Sequence, residues 1–161
     1  MNKYFNTAGP CNNENHYMLP TLDRCKGLMS LIIQKQYFVI YSARQSGKTT
    51  ILLDLTKQLN NKGDYYTLYC TLESTQKIDD PKEGIPAIIK LLKRMINRDP
   101  LLNKFSFAQN IDYKDYTNIL SQSLGEFCSI IDKPLVILFH EMGTYYRTIN
   151  FVLPDFRYNM S

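Results

Sequence analysis

"YFVIYSARQSGKTTILLDL", residues 37–55, decides how the rest of the chain is read. Its first five residues form a β-favouring run with no polar interruption, the pattern of a strand covered on both faces. Its last residues begin a run with apolar side chains at helical spacing. Between them lies a turn of small and polar residues that closes on Gly47, Lys48 and Thr49. A phosphate cradle asks three things of a sequence. It needs a strand to deliver the chain, small residues so that backbone N–H groups can curl around an anion, and a helix whose N-terminus faces that anion. All three stand here in order.

The spacing fits G-x-x-x-x-G-K-[ST] except at the first position, where Ser42 replaces glycine. Serine is small but resists positive φ, so the loop entry is more constrained than usual. The residues expected to line the phosphates are Ser42, Ala43, Arg44, Gln45, Ser46, Gly47, Lys48, Thr49 and Thr50. Gly47 is where the chain must pass close to phosphate oxygens. Lys48, a candidate catalytic group, reaches the β- and γ-phosphates, and the Thr49 hydroxyl ligates Mg2+. A chance Gly-Lys-Thr at a helix start is the competing reading. The strand before, the helix after and the spacing between them together weigh against it.

Outward from this stretch, Leu52, Leu55 and Leu59 share a helical face that stops at Gly63, a good C-terminal cap. Upstream, "LDRCKGLMSLIIQKQ" places Leu22, Leu28, Leu31 and Ile32 on one helical face. Downstream, "DYYTLYCTLE" (64–73) reads as a second strand and "DDPKEG" (79–84) as a polar break. "IPAIIKLLKRMINRDP" puts Ile85, Ile88, Ile89, Leu92, Met95 and Ile96 on one face and ends before Pro100. "YKDYTNILSQSLGEFCSIID" continues with Tyr116, Ile119, Leu120, Phe127, Ile130 and Ile131. Lys133-Pro134 then makes a turn into "LVILF" (135–139), a third buried strand. Strands separated by helices imply an α/β domain, with a parallel sheet and helices on both faces.

A phosphate loop of this kind is completed by a strand ending in Asp-Glu, the Asp holding magnesium and the Glu polarising the attacking water. The strand 135–139 is in the right place, and Glu141 is the candidate water-activating carboxylate. The Asp position holds His140. Imidazole is neutral or cationic near neutral pH, whereas hard Mg2+ prefers oxygen ligands. Losing that negative charge costs on the order of several kcal/mol in a transition state stabilised by charge placement. Binding survives such a change better than hydrolysis does. His140 is named as a metal position only because it stands where Asp is usual. An ordinary strand-end histidine and a solvated carboxylate are the plainer readings of this pair, which the loop outweighs.

Composition sets the remaining bounds. The 161 residues suit one domain with a single core, and 44% apolar with 21% charged residues reads as globular protein. The net charge of +4 is scattered, unlike the basic stripe a nucleic-acid surface needs. The four cysteines, Cys11, Cys25, Cys70 and Cys128, form no C-x-x-C pair. Cys70 and Cys128 sit in apolar runs and read as reduced, buried thiols. His16 near Cys11 lacks the second close pair that a zinc site requires. No stretch approaches the ~18–20 apolar residues of a membrane span, and residues 1–20 lack a signal-peptide core. A cytoplasmic location with no membrane contact is the expectation.

Three stretches together carry a resemblance: "YFNTAGPCNNENHYMLPTLDR" (4–24), "QKQYFVIYSARQSGKTTILLDL" (34–55) and "KPLVILFHE" (133–141). The chain resembles a bacterial family of AAA-like P-loop ATPases related to the origin-recognition and STAND ATPases. What the resemblance implies is a three-layer P-loop fold of the additional-strand class, with ATP and Mg2+ as ligands. It also implies an N-terminal arm at 1–22 and a partial P-loop domain at 23–161. The family's phosphate-loop functions carry onto Gly47, Lys48 and Thr49, and its catalytic glutamate onto Glu141. Its adenine-holding segment falls around Met18 to Arg24. Two departures stand out: His140 and Gly143 replace the family's two aspartates. Ser161 also comes before the sensor strand, the lid and the C-terminal domains. By the family's strand order the sheet is then incomplete, and 37–41 and 135–139 have open edges. The tail "TYYRTINFVLPDFRYNMS" (144–161) reads either as a helix start interrupted by Pro154 or as a strand through "TINFVL".

The function expected on this basis is ATP binding with weakened or absent hydrolysis. Two alternatives are an active ATPase switch working with a partner chain and a truncated, non-functional remnant. A small P-loop kinase ranks behind these, because no acceptor-binding lid is identifiable. A protein partner or a homo-oligomer stays open, and nucleic acid enters by family analogy alone.

Overall fold

Tyr66–Thr71 (β1) and Leu135–His140 (β2) pair in parallel, Tyr66 opposite Leu135 and Thr71 opposite His140. The computed structural model describes residues 3–7, 9, 11, 14–18, 27–41, 46–75, 77–109, 111 and 116–141. Contacts divide the chain into two units, 1–62 and 63–161. The α/β class and the parallel pairing expected from the sequence are both present. Among the described residues the sheet has two strands and the chain four α-helices.

The second unit holds the sheet. A single long connection joins the two strands: a 3-10 turn at Glu73–Thr75, then helices α3 (Pro81–Arg98) and α4 (Ile119–Ile130). Alternation along β1 sends Tyr66, Leu68 and Cys70 to one face, which Leu135, Ile137 and Phe139 of β2 continue. Ile85, Ile88, Ile89, Leu92 and Ile96 of α3 and Leu120, Leu124 and Phe127 of α4 join them in one apolar cluster. The irregular stretch after α3 adds Leu102 and Phe107, each 1% exposed. Phe107 meets Phe127 edge to face at 5.3 Å. Thr67, Tyr69, Thr71, Val136, Leu138 and His140 make up the opposite face of the sheet.

The start of α3 corrects the polar break expected at 79–84. Asp80 is its N-cap, its carboxylate accepting the Lys82 N–H at 2.9 Å, and Pro81 occupies the first turn with Glu83. Those residues supply a cap, a preset φ and a favourable charge at the dipole's positive end. The helix therefore begins four residues before its apolar periodicity does. At its other end, Asp99 Oδ1 accepts the N–H groups of Leu101 and Leu102 at 2.8 and 3.1 Å. Ile130, expected on the apolar face of α4, is 50% exposed in its last turn.

The first unit contains α1 (Leu28–Ile33) and α2 (Lys48–Lys62). Leu28 and Ile32 are buried in α1 as expected, and Leu22 lies outside the described residues. In α2, Leu55 and Leu59 are fully buried, and Gly63 at φ +79° stops the helix where predicted.

The stretch 37–41 corrects a second expectation. It is not a strand, and it is not covered on both faces: Tyr37, Val39 and Tyr41 are 43%, 47% and 83% exposed, alternating with half-buried Phe38 and Ile40. Five β-favouring residues specify an extended backbone, but a strand exists only through a ladder to a neighbour, which composition cannot name. The tail 142–161, with both of its alternative readings, lies outside the described residues.

Candidate functional site

The loop's second half is laid out in the first unit. Gly47 sits at φ +85°, a conformation glycine adopts freely and other residues enter at a cost. Its carbonyl accepts the Ile51 N–H at 3.0 Å and so opens α2. Lys48, Thr49 and Thr50 are the first three residues of this 15-residue helix, all half-buried, and no acidic residue occupies its first turn. A helix N-terminus carries roughly half a positive charge on N–H groups that lack intrahelical partners. A lysine placed on it adds a full positive charge. The chemistry of this arrangement suits an oxyanion.

Thr50 has a further contact that the sequence did not reveal. Its Oγ1 accepts the backbone N–H of Cys11 at 3.1 Å, across 39 residues of chain. Ser42, Ala43, Arg44 and Gln45, the expected front half of the loop, lie outside the described residues. So do Leu19 to Arg24 of the segment linked with adenine.

His140 and Glu141 belong to the second unit. His140 ends β2, its carbonyl accepting the Leu72 N–H at 2.9 Å, and its imidazole lies 5.9 Å from the Tyr69 ring at 33°. Glu141 follows at φ +59°, with Oε1 3.7 Å from His140 Nε2. The His140 side chain is 16% exposed and that of Glu141 51%. Burial raises the Tyr69 hydroxyl above its ordinary pKa, and the charges of Cys70, Glu141 and Glu73 add to the rise. The carboxyl end of the parallel pair therefore gathers Tyr69, Glu73, His140 and Glu141. In open α/β sheets this is the end at which ligands bind.

The donor set fits the two expected ligands unequally. The Gly47 turn and Lys48 suit a phosphate group. For magnesium, Thr49 in the first unit offers one hydroxyl; in the second unit, taken by itself, Glu141 offers one exposed carboxylate and His140 brings nitrogen to an oxygen-preferring cation. Among the described residues no group of three His, Cys, Asp or Glu could hold a metal ion.

Cys70 is buried as expected, whereas Cys128 is only half-buried. Burial pushes the Cys70 thiol up to about 12 and the Cys128 thiol up to about 11. The His16 ring packs edge to face on Tyr4, 4.8 Å away. No helix among the described residues is long and apolar enough to cross a membrane.

No family model, curated protein or solved structure matches the chain.

Proposed function

We propose that the chain binds ATP at the turn 42–49 and the start of α2, and hydrolyses it slowly or not at all. One observation carries this reading: Gly47 at φ +85° opens a long helix whose leading side chains are Lys48 and Thr49. In this reading the first-turn amides and the Lys48 ammonium hold the β- and γ-phosphates. Thr49 would supply a hydroxyl to the Mg2+ that accompanies ATP, an ion whose chemistry there would be to offset phosphate charge. Glu141 is the residue left to orient water. Without an aspartate before it, the acidic strand has lost the charge that would fix the metal.

Titration of Mg·ATP into the native chain and into Lys48→Ala tests the binding half. The expected outcome is an affinity at least about tenfold weaker in the variant, as for losing a charge-assisted contact. Equal affinities would remove the proposal. Steady-state phosphate release tests the other half. His140→Asp is expected to raise turnover by about tenfold or more, since it restores a charge where charge develops. No rise, with ATP still bound, would show that His140 is not what limits hydrolysis.

An active ATPase working with a partner chain is the second reading. The half-exposed Glu141 carboxylate favours it, being accessible to a water. It predicts turnover that depends on an added partner and is lost in Glu141→Gln.

A further inference from the structure

The described arm residues 3–7, 9, 11 and 14–18 close on themselves. The Tyr4 N–H donates to the Asn15 carbonyl at 3.0 Å, and the Tyr17 N–H donates to the Tyr4 carbonyl at 3.1 Å. The Phe5 and Tyr17 rings lie 5.0 Å apart next to the Tyr4–His16 pair. Farther along, the Asn6 amide donates to the Gly9 carbonyl at 3.0 Å and approaches Cys11 Sγ at 3.9 Å. Yet Tyr4, Phe5 and Tyr17 are 57%, 80% and 57% exposed. The arm is thus tied together internally while burying little of its aromatic surface. A segment of that kind lies at the low end of local stability, where one added bond changes its population measurably.

From the far end of this loop, Cys11 N–H reaches Thr50 Oγ1 at 3.1 Å. Thr50 is the third residue of α2, within the turn that Gly47 opens and Lys48 begins. The acceptor hydroxyl is presented to Cys11 from a formed helical turn, and helix ends fray. A phosphate on the first-turn amides requires the same formed turn. Two partners that both favour one state of an element strengthen each other, and the strengthening is reciprocal.

We infer that the arm is a strap seated on the first turn of α2 through the Cys11–Thr50 hydrogen bond, so that occupancy of the phosphate turn and docking of the arm are coupled. The inference rests on the ATP reading above and adds a means by which the ligand is felt outside its own site. The coupling is on the order of fivefold, the equilibrium factor of one typical net hydrogen bond.

Amide hydrogen exchange of the full chain, with and without Mg·ATP, tests it on two peptides, one covering 4–17 and one covering 48–62. Proline at Cys11 deletes the donor, and Cys11→Ala keeps it. In the native chain and in Cys11→Ala, ligand should slow exchange in both peptides, by about fivefold in the arm. In Cys11→Pro the helix peptide should still slow and the arm should not. Thr50→Val, which removes the acceptor from the other side, should give the same unresponsive arm at saturating ligand. This second variant guards against a proline that merely disturbs the loop. A native arm indifferent to ligand, beside a protected helix, overturns the strap and leaves ATP binding standing. So does an arm that responds equally in Cys11→Pro and Thr50→Val. No protection of 48–62 by ligand in any chain overturns the ATP reading, and the strap falls with it.

Discussion

At Gly47 the backbone lies at φ +85°, and two demands meet on one residue: the helix must start there and, on the ATP reading proposed above, nothing must crowd the space before its first amides. A Cβ at that position strains the backbone by roughly 1–2 kcal/mol. Gly47→Ala is expected to lower unfolding free energy by about 1 kcal/mol and to weaken Mg·ATP binding by more than that. Urea denaturation and calorimetric titration measure the two separately, and lost stability with unchanged affinity would mean that the glycine serves the fold alone. The turn at Gly47 and the start of α2 were legible in the sequence because their requirements are local. A small residue, a lysine and a hydroxyl follow one another where an apolar helical run begins. The Cys11–Thr50 bond was not legible, since nothing in either neighbourhood points across 39 residues. Tyr69 beside His140 lies between these cases. Period-2 alternation places it on the face away from the core, but only the register of β1 against β2 brings the two rings together.

Among the elements, α2 matched its predicted bounds because both of its ends are marked, by the turn at Gly47 and by Gly63. Helix α3 was read four residues short, since its opening turn carries signals for starting a helix and none for burying one. The pair Asp80-Pro81 contributes cap and φ rather than apolar surface. Asp80→Ala is therefore expected to cost about 1 kcal/mol, the usual worth of a side-chain N-cap, while Asp80→Asn keeps most of it. The shift of the urea midpoint at constant m-value reads this, and an unchanged midpoint would mean that α3 is held by its apolar face alone. Leu102 and Phe107 escaped the sequence reading for a related reason. They are buried from irregular backbone, where neither helical nor strand periodicity applies. The run 37–41 errs the other way: its composition resembles that of β1, but β1 has β2 beside it. Propensity alone did not make it a strand; pairing, which is non-local, decided what became one.

For the molecule as a whole, the groups displaced furthest from their ordinary pKa values fix how stability responds to alkali. Cys70, fully buried between Tyr69 and Thr71 of β1, has its thiol raised from 9.0 to about 12 by burial, opposed in small part by Arg94. Cys128 on α4 is raised from 9.0 to about 11 by the same cause. The Tyr69 hydroxyl is shifted in the same direction. In each case the folded chain holds its proton more tightly than the unfolded chain does. The stability these groups contribute is fully present below pH 9 and is lost as pH climbs from 9 through 11 and towards 12. Each thiol that ionises only on unfolding adds a slope of about 1.4 kcal/mol per pH unit in that window. Acidic conditions leave this contribution untouched, so the two limbs of the pH profile report on different groups. On the acid side, Asp132 is held below its ordinary range chiefly by the Tyr66 hydroxyl, which donates to Oδ1 at 2.8 Å. On the alkaline side, urea midpoints measured from pH 7 to 10.5 should stay level up to about pH 9 and then fall steeply. Cys70→Ala should start lower at pH 7, through lost packing on β1, and descend more gently above pH 9. Parallel descents of the two chains would mean that the Cys70 thiol ionises as readily folded as unfolded, contrary to its burial against the apolar cluster of α3 and α4.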